Sequence, residues 1–193
     1  MFKVLAEISA RHIHLNKEHL EILFGAGYQL KKLREVSQPG EFAGEETLLL
    51  KTRKSEIKKV RIVGPLRKQT QVEISLTDAR CLGLHPPIRL SGDLINSEKC
   101  SLVGPAGKID LSEGVIIAWR HLHLDSISAQ ENGFKDNQTV SVRINSEKRP
   151  VTFHQVVVRV SPDFKNSFHL DTDESNAAGL QGKEEGIIIK KND

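Results

Sequence analysis

Trp119-Arg120-His121-Leu122-His123-Leu124-Asp125 is the stretch on which the reading of this chain turns. The residues ahead of it, Gly114-Val115-Ile116-Ile117-Ala118, are apolar and β-branched, and they predict a strand running into the histidines. Side chains alternate along a strand, so His121 and His123 share one face, while Leu122 and Leu124 take the other and face packing. Two imidazoles side by side can grip one metal ion. A lone His-x-His is weak, since such pairs are more often surface or hydrogen-bonded histidines.

The motif has a second copy. Ala10-Arg11-His12-Ile13-His14-Leu15 repeats it near the N-terminus, 109 positions earlier. Asn16 follows one copy and Asp125 the other, both good helix N-caps. Each is followed by a short helix-compatible stretch and a glycine: Lys17 to Phe24 then Gly25, and Ser126 to Asn132 then Gly133. Strand, histidine pair, cap, helix and glycine stop are written twice, which marks the chain as internally duplicated. Duplication about a pseudo-twofold axis could bring four histidines together, and that puts the metal reading level with the bland one.

The chain has 193 residues, enough for a good core in one domain or two small ones. A hydrophobic share of 38% with 27% charged residues is that of an ordinary soluble protein. No apolar run is long enough for a transmembrane helix, and no secretory signal pattern opens the chain. These features predict a cytoplasmic protein without a membrane partner. The net charge of +3 admits an anionic small substrate but does not suggest nucleic acid. Cys81 and Cys100 form no Cys-x-x-Cys and read as buried thiols.

Along the chain, Phe2 to Ser9, Glu46 to Lys51, Lys58 to Val63, Thr139 to Ile144, Val151 to Val160 and Gly186 to Lys191 predict strands. Lys31, Lys32 and Arg34 make a basic cluster, usually a solvated face but also able to meet phosphate. Gln71 and Glu73 share a face of a short alternating run, ordinarily a polar outer one. Thr77 to Gly83 predicts another capped helix with a glycine stop, and His169-Leu170-Asp171 leads into one more that ends at Gly179. Many short strands with few short helices argue for β-barrels rather than a doubly wound sheet.

Taken together these pieces resemble the PduL-type phosphotransacylases, or phosphate propanoyltransferases. The resemblance rests on Ser9-Ala10-Arg11-His12-Ile13-His14-Leu15, Gly64-Pro65-Leu66-Arg67, Thr70 to Ser75, Ser91-Gly92-Asp93, Leu102 to Pro105, Gly114 to Leu124 and His169 to Ala178. It implies a mainly β fold of two interleaved closed β-barrels with short capping helices, pseudo-duplicated. One barrel would use residues 1–10 and 119–193; the other would use 11–118, with an insertion near 25–45. It also implies two Zn²⁺ per chain. His121, His123 and Glu73 match the ligands of one, and His12, His14 and His169 those of the other. Arg67 matches the residue that meets phosphate. Ser9, Arg34, Arg61 and Asn176 stand beside the matched motifs and are candidates for coenzyme A contacts. Arg80 stands where the resemblance implies an aromatic against adenine. His19, His85 and His154 match no ligand position.

The activity implied is exchange of an acyl group, propanoyl or acetyl, between phosphate and coenzyme A. The partners are then coenzyme A, acyl phosphate and inorganic phosphate, and a homodimer is compatible. A zinc-bound thiol would attack as thiolate, with no acyl-enzyme nucleophile apparent. Microcompartment-housed members carry an N-terminal extension, and His12 stands too near the start of this sequence for one. Two alternatives compete: a dinuclear zinc hydrolase and a non-catalytic zinc-binding module, whose sites tend to be closed four-ligand cages.

Overall fold

The two Arg-His-x-His copies mark the points where the chain changes from one structural unit to another. A computed structural model describes residues 2–182 and 184–189. One unit comprises Met1–Ala10, Ser37–Pro39 and Trp119–Asp193; the other comprises Arg11–Val36 and Gly40–Ala118. In chain order the strands are β1 (Lys3–Ser9), β2 (His12–His14), β3 (Lys32–Glu35), β4 (Phe42–Lys51), β5 (Glu56–Gly64), β6 (Gln71–Glu73), β7 (Ile88–Arg89), β8 (Glu98–Val103) and β9 (Lys108–Ala118). They continue with β10 (His121–Leu124), β11 (Thr139–Ile144), β12 (Val151–Val160), β13 (Ser167–Asp171) and β14 (Glu185–Ile189). Four short helices are α1 (Lys17–Phe24), α2 (Leu76–Leu82), α3 (Ser126–Asn132) and α4 (Thr172–Ala178).

Each histidine pair therefore has a strand of its own and does not sit at the end of the preceding one. β1 and β10 lie in one unit while β2 and β9 lie in the other, and the chain changes unit between Ala10 and Arg11 and again between Ala118 and Trp119. The apolar run Gly114 to Ala118 belongs to β9, and its Val115 packs in a different core from Leu122 and Leu124, which alternate with the histidines that follow.

The first unit is a closed six-stranded barrel in the order β1-β13-β10-β12-β11-β14, with β14 returning to β1. Its core holds Val4, Ala6, Leu122, Leu124, Val142, Val158 and Phe168. In the second unit β4-β5-β2-β6-β9-β8 closes on itself through the β4–β8 pair, and β3 and β7 lie beside β4 and β9. Ile13, Leu15, Leu48, Ile62, Val72 and Leu102 fill that core. The fold is mainly β, two closed and interleaved six-stranded barrels built from a duplicated pattern.

The helices are as short as their caps dictate. The side-chain oxygens of Asn16, Ser75, Asp125 and Asp171 each accept a hydrogen bond from a backbone N–H in the first turn of the helix that follows. The cap of α2 is thus Ser75, two residues before the Thr77 at which the sequence suggests a start. α2, α3 and α4 stop at Gly83, Gly133 and Gly179, each left-handed with φ between 66° and 69°. β3 emerges from the basic cluster around Lys32, where the sequence suggests only an insertion. Cys81 is exposed on α2, contrary to the buried reading, because it falls on the helix face away from Ala79 and Leu82; Cys100 is buried. The predicted last strand runs on to Lys191, and its final two residues lie outside those described.

The residue between the histidines points into each core: Ile13 and Leu122 are fully buried. Truncating a buried aliphatic side chain costs its transfer free energy plus that of the cavity left behind. Ile13→Ala and Leu122→Ala should each lower unfolding stability by about 2–5 kcal/mol in chemical denaturation. A loss well under 1 kcal/mol would mean that the histidine strands are not anchored through these side chains.

Candidate metal clusters and their surroundings

Strand pairing decides which histidines meet. β2 runs antiparallel to β6, so His12 lies opposite Glu73 and His14 opposite Gln71. β10 runs antiparallel to β13, so His121 lies opposite His169 and His123 opposite Ser167. Two candidate metal sets follow, His12–His14–Glu73 in one unit and His121–His123–His169 in the other. Within each set the nitrogen and oxygen atoms able to ligate lie within 4.8 Å of one another. The six residues are those implied by the resemblance, but their grouping differs. Glu73 sits with the N-terminal pair and His169 with the other, because the third member is supplied by the strand hydrogen-bonded to each pair.

The rings are prepared for ligation. His14 Nδ1 donates to the Val63 carbonyl at 2.9 Å and His121 Nδ1 to the Trp119 carbonyl at 2.7 Å, which leaves both Nε2 lone pairs available. His12 Nε2 and His14 Nε2 converge to 3.1 Å, and Glu73 Oε2 lies 3.6 Å from His12 Nε2. In the other set His121, His123 and His169 have ring centroids 4.7–5.1 Å apart. His123 Nδ1 is buried with no hydrogen-bond partner, an orphaned polar atom that a metal ion would satisfy. Burial drives His14 down to about 3, helped by the neighbouring His12 and Arg67, and drives His123 down to about 2, helped by His121, His169 and Arg159. Both are therefore neutral at physiological pH, the form that binds metal.

From Glu73 a chain of hydrogen bonds runs to Arg67. Gln71 Nε2 donates both to Glu73 Oε1 and, at 2.8 Å, to Ser91 Oγ; Gln71 Oε1 accepts from the Gly92 N–H at 2.7 Å. Arg67 Nη1 donates to Ser91 Oγ at 2.8 Å, and Nη2 meets Glu41 Oε1 at 3.0 Å. Gln71 and Glu73, ordinarily expected on a polar outer face, are in fact buried, and Gln71 has every amide group engaged. Ser91 and Glu41 are not singled out by sequence reasoning, although Ser91 opens one of the quoted motifs. Their partners lie 20 to 26 positions away, and only the fold closes that distance.

The remaining candidates divide between the units. Ser9 on β1 and the exposed Asn176 on α4 lie in the first. Arg34, exposed on β3, and Arg61 on β5 lie in the second. Arg61 sits beside His12 in the β2–β5 register but directs Nη1 at the carbonyls of Gly44 and Glu45, 3.0 and 2.9 Å away. Arg80 is exposed on α2. His19 Nδ1 contacts Thr70 Oγ1 and His154 Nδ1 contacts Ser141 Oγ, each at 2.8 Å, and neither joins a metal set. No described helix is long and apolar enough to cross a membrane.

Residues 5–181 match the phosphate propanoyltransferase family. A phosphate propanoyltransferase of Thermotoga maritima is 46% identical over 177 residues, covering 92% of this chain and 84% of that protein. Its counterpart in Listeria monocytogenes is 44% identical over 188 residues, covering 97% and 88%, and that of Priestia megaterium is 49% identical over 181, covering 94% and 83%. The chain belongs to the phosphate propanoyltransferase family. As a member of that family it is an acyltransferase, and both candidate metal sets, Arg67, Ser91 and Gln71 all fall inside the matched span.

The buried neutral histidines have a consequence for stability. In the unfolded chain they titrate near 6.5, and in the folded protein they titrate far lower. Between those values the unfolded state binds more protons, so stability is full above about pH 6.5 and is lost as pH falls toward the folded values. Metal-free protein should show a melting temperature that drops progressively below about pH 6.5. His14→Asn and His123→Asn should each flatten that slope; an unchanged slope in both would show that these rings are not held neutral.

Proposed function

We propose that the chain exchanges phosphate for coenzyme A on an acyl group: acyl phosphate + coenzyme A ⇌ acyl-coenzyme A + phosphate. Family membership supports phosphate acyltransfer, and the relatives' shared name favours propanoyl, with acetyl as the shorter alternative. The observation that carries the reading is the hydrogen-bonded chain Glu73–Gln71–Ser91–Arg67. It joins a candidate metal ligand to a guanidinium.

Arg67 offers a planar fork suited to phosphate. Ser91 Oγ already accepts from Arg67 and Gln71, so its own hydroxyl proton is left to donate to an anion. Together they would hold the phosphate as charge gathers on it during acyl transfer. Gln71, locked at both ends, keeps the Glu73 carboxylate and Ser91 in fixed relation. A Zn²⁺ held at either three-residue set would supply Lewis acidity, lowering the pKa of the coenzyme A thiol and polarising the acyl carbonyl. In the bond exchange the thiolate sulfur forms the new C–S bond, the C–O bond to phosphate breaks, and the electron pair leaves with phosphate.

Direct transfer needs no protein nucleophile, and Cys100 fits that scheme. Burial pushes the Cys100 thiol up to about 12 inside a barrel core, where it is inert. Three protein ligands in each set leave a coordination position open for substrate, which favours catalysis over a closed structural cage. The Arg67–Ser91 anion site favours acyl phosphate chemistry over plain hydrolysis. Ser9, Arg34, Arg61 and Asn176 remain our candidates for the coenzyme's phosphates and pantetheine arm, with Arg34 the exposed cation among them.

Purified protein should carry about two Zn²⁺ per chain, and chelation should abolish thioester formation from propanoyl phosphate and coenzyme A. His121→Ala should abolish turnover, whereas His85→Ala should leave it nearly intact. Arg67→Ala should lower the rate by roughly 10²–10³, as loss of transition-state charge stabilisation does, and Arg67→Lys should recover only part of it. Near-normal rates and phosphate KM in Arg67→Ala would remove Arg67 from the phosphate site. Active protein without metal would remove the thiolate scheme.

A further inference from the structure

We infer that Glu7 is the positioning residue of His169: its carboxylate holds the imidazole in one orientation and one tautomer for metal binding. The inference rests on the reading of His121, His123 and His169 as a metal set. β1 and β13 run parallel, and their register places Glu7 directly beside His169. Glu7 Oε2 lies 3.0 Å from His169 Nε2, and the two side chains are only 22% and 16% exposed, so water competes weakly for the contact. Glu7 does not join the three-residue set itself. Its place is beside one ligand, the usual station of a carboxylate that orients a metal-binding histidine.

The surroundings hold both members in place. Ser167 Oγ lies 3.0 Å from the same His169 nitrogen. Gln38 Nε2 donates to that hydroxyl at 2.8 Å and to the Lys165 carbonyl at 2.9 Å, while Gln38 Oε1 accepts from the Lys165 N–H at 3.2 Å. Ser37 hydrogen-bonds Glu7. Ser37–Pro39 is the only segment between residues 11 and 118 that groups with the first barrel. Two of its three residues support the Glu7–His169 pair.

The chemistry assigns the proton. An ionised carboxylate only accepts, so the His169 nitrogen facing Glu7 carries hydrogen and the lone pair is left on Nδ1. His14 and His121 are set the opposite way, with Nδ1 donating to backbone carbonyls. Charge gives the pair a second role. The other set contains a carboxylate, Glu73, whereas three neutral imidazoles bring none to a buried dication. Glu7 supplies that negative charge through His169 and raises the basicity of the ring.

The test uses Glu7→Gln, which keeps the shape and removes the charge. Long-range ¹H–¹⁵N spectra of metal-free protein should show His169 protonated on Nε2, with the Nδ1-protonated form gaining population in Glu7→Gln. Zinc titration against a chromophoric chelator should show one of two sites weakened about 10–100-fold, and the other unchanged. Cobalt-substituted protein should show altered visible bands from the weakened site alone, and Glu7→Asp should recover part of the affinity. His123→Ala is the control for the underlying reading. If His123→Ala removes no metal, the metal set itself is wrong. If His123→Ala removes a metal while Glu7→Gln leaves tautomer and affinity unchanged, the set stands and this inference fails.

Discussion

Antiparallel pairing of a three- or four-residue histidine strand with the strand carrying a third donor is the constraint on which the site depends. His12 faces Glu73 and His121 faces His169 only in one register. A slip by one residue would turn both histidines of a pair into the core and bring Ile13 or Leu122 to the site face. The full burial of those two side chains is thus what holds the donors in place. Site geometry and barrel stability are two outcomes of one alternation.

The same duplication extends to the residues that tie these strands down. In one unit the donor Glu73 is followed by Ile74, the cap Ser75 and the acid Asp78; in the other His169 is followed by Leu170, the cap Asp171 and the acid Glu174. Arg11, just before the first pair, grips Asp78 through Nε at 2.8 Å and Nη2 at 2.7 Å. Arg120, just before the second, meets Glu174 at 2.8 Å and lies over the Phe153 ring. Both acids also close the capping box of their helix. Burial pushes Glu174 up to about 7 against the pull of Arg120, so its charge depends on keeping that partner. Each Arg-His-x-His copy is in effect a latch: the arginine holds the helix that follows the donor strand, and the histidines meet the donor.

What was legible in the sequence was local or repeated. The histidine pairs, their caps Asn16 and Asp125, the glycine stops and the alternating apolar positions follow from residues within a few places of one another, and they predict the barrels' elements closely. What was not legible depends on long-range register. Glu73 taken alone does not say that it meets His12 and not His121, since Glu73 and His12 lie 61 positions apart and the pairing is decided by closure of a barrel. One sequence signal does carry it: Glu73-Ile74-Ser75 and His169-Leu170-Asp171 align as donor, core residue and cap, which makes each the third member of its own half. Gln71 reads as a surface residue because alternation cannot distinguish a solvated face from one turned toward a polar cluster. Glu7 reads as an ordinary strand residue for the same reason. The break before the second histidine pair is hidden because the apolar run Val115-Ile116-Ile117 leads into the alternating His121–Leu124 with no glycine or proline between them.

Duplication with one substitution has a chemical consequence. Two equivalent halves would give two equivalent donor sets, but the aligned third position is Glu in one and His in the other. A dication held by two imidazoles and a carboxylate keeps less net charge than one held by three imidazoles. The first set is hydrogen-bonded through Gln71 and Ser91 to Arg67, whose guanidinium is itself paired with Glu41. The second set lies beside Arg159, whose charge helps keep His123 neutral, and gains its compensating anion from Glu7. Each half therefore combines a largely buried candidate donor set with carboxylate and arginine neighbours, but arranges them differently. In the first the carboxylate is a donor and the arginine sits at the end of a hydrogen-bond chain; in the second the carboxylate sits behind a donor. On the chemistry proposed above, a thiolate is raised on one substrate and electrons are drawn from the carbonyl of another, two tasks suited to centres of unlike electrophilicity. Unequal third donors in a duplicated frame are a direct way to obtain them.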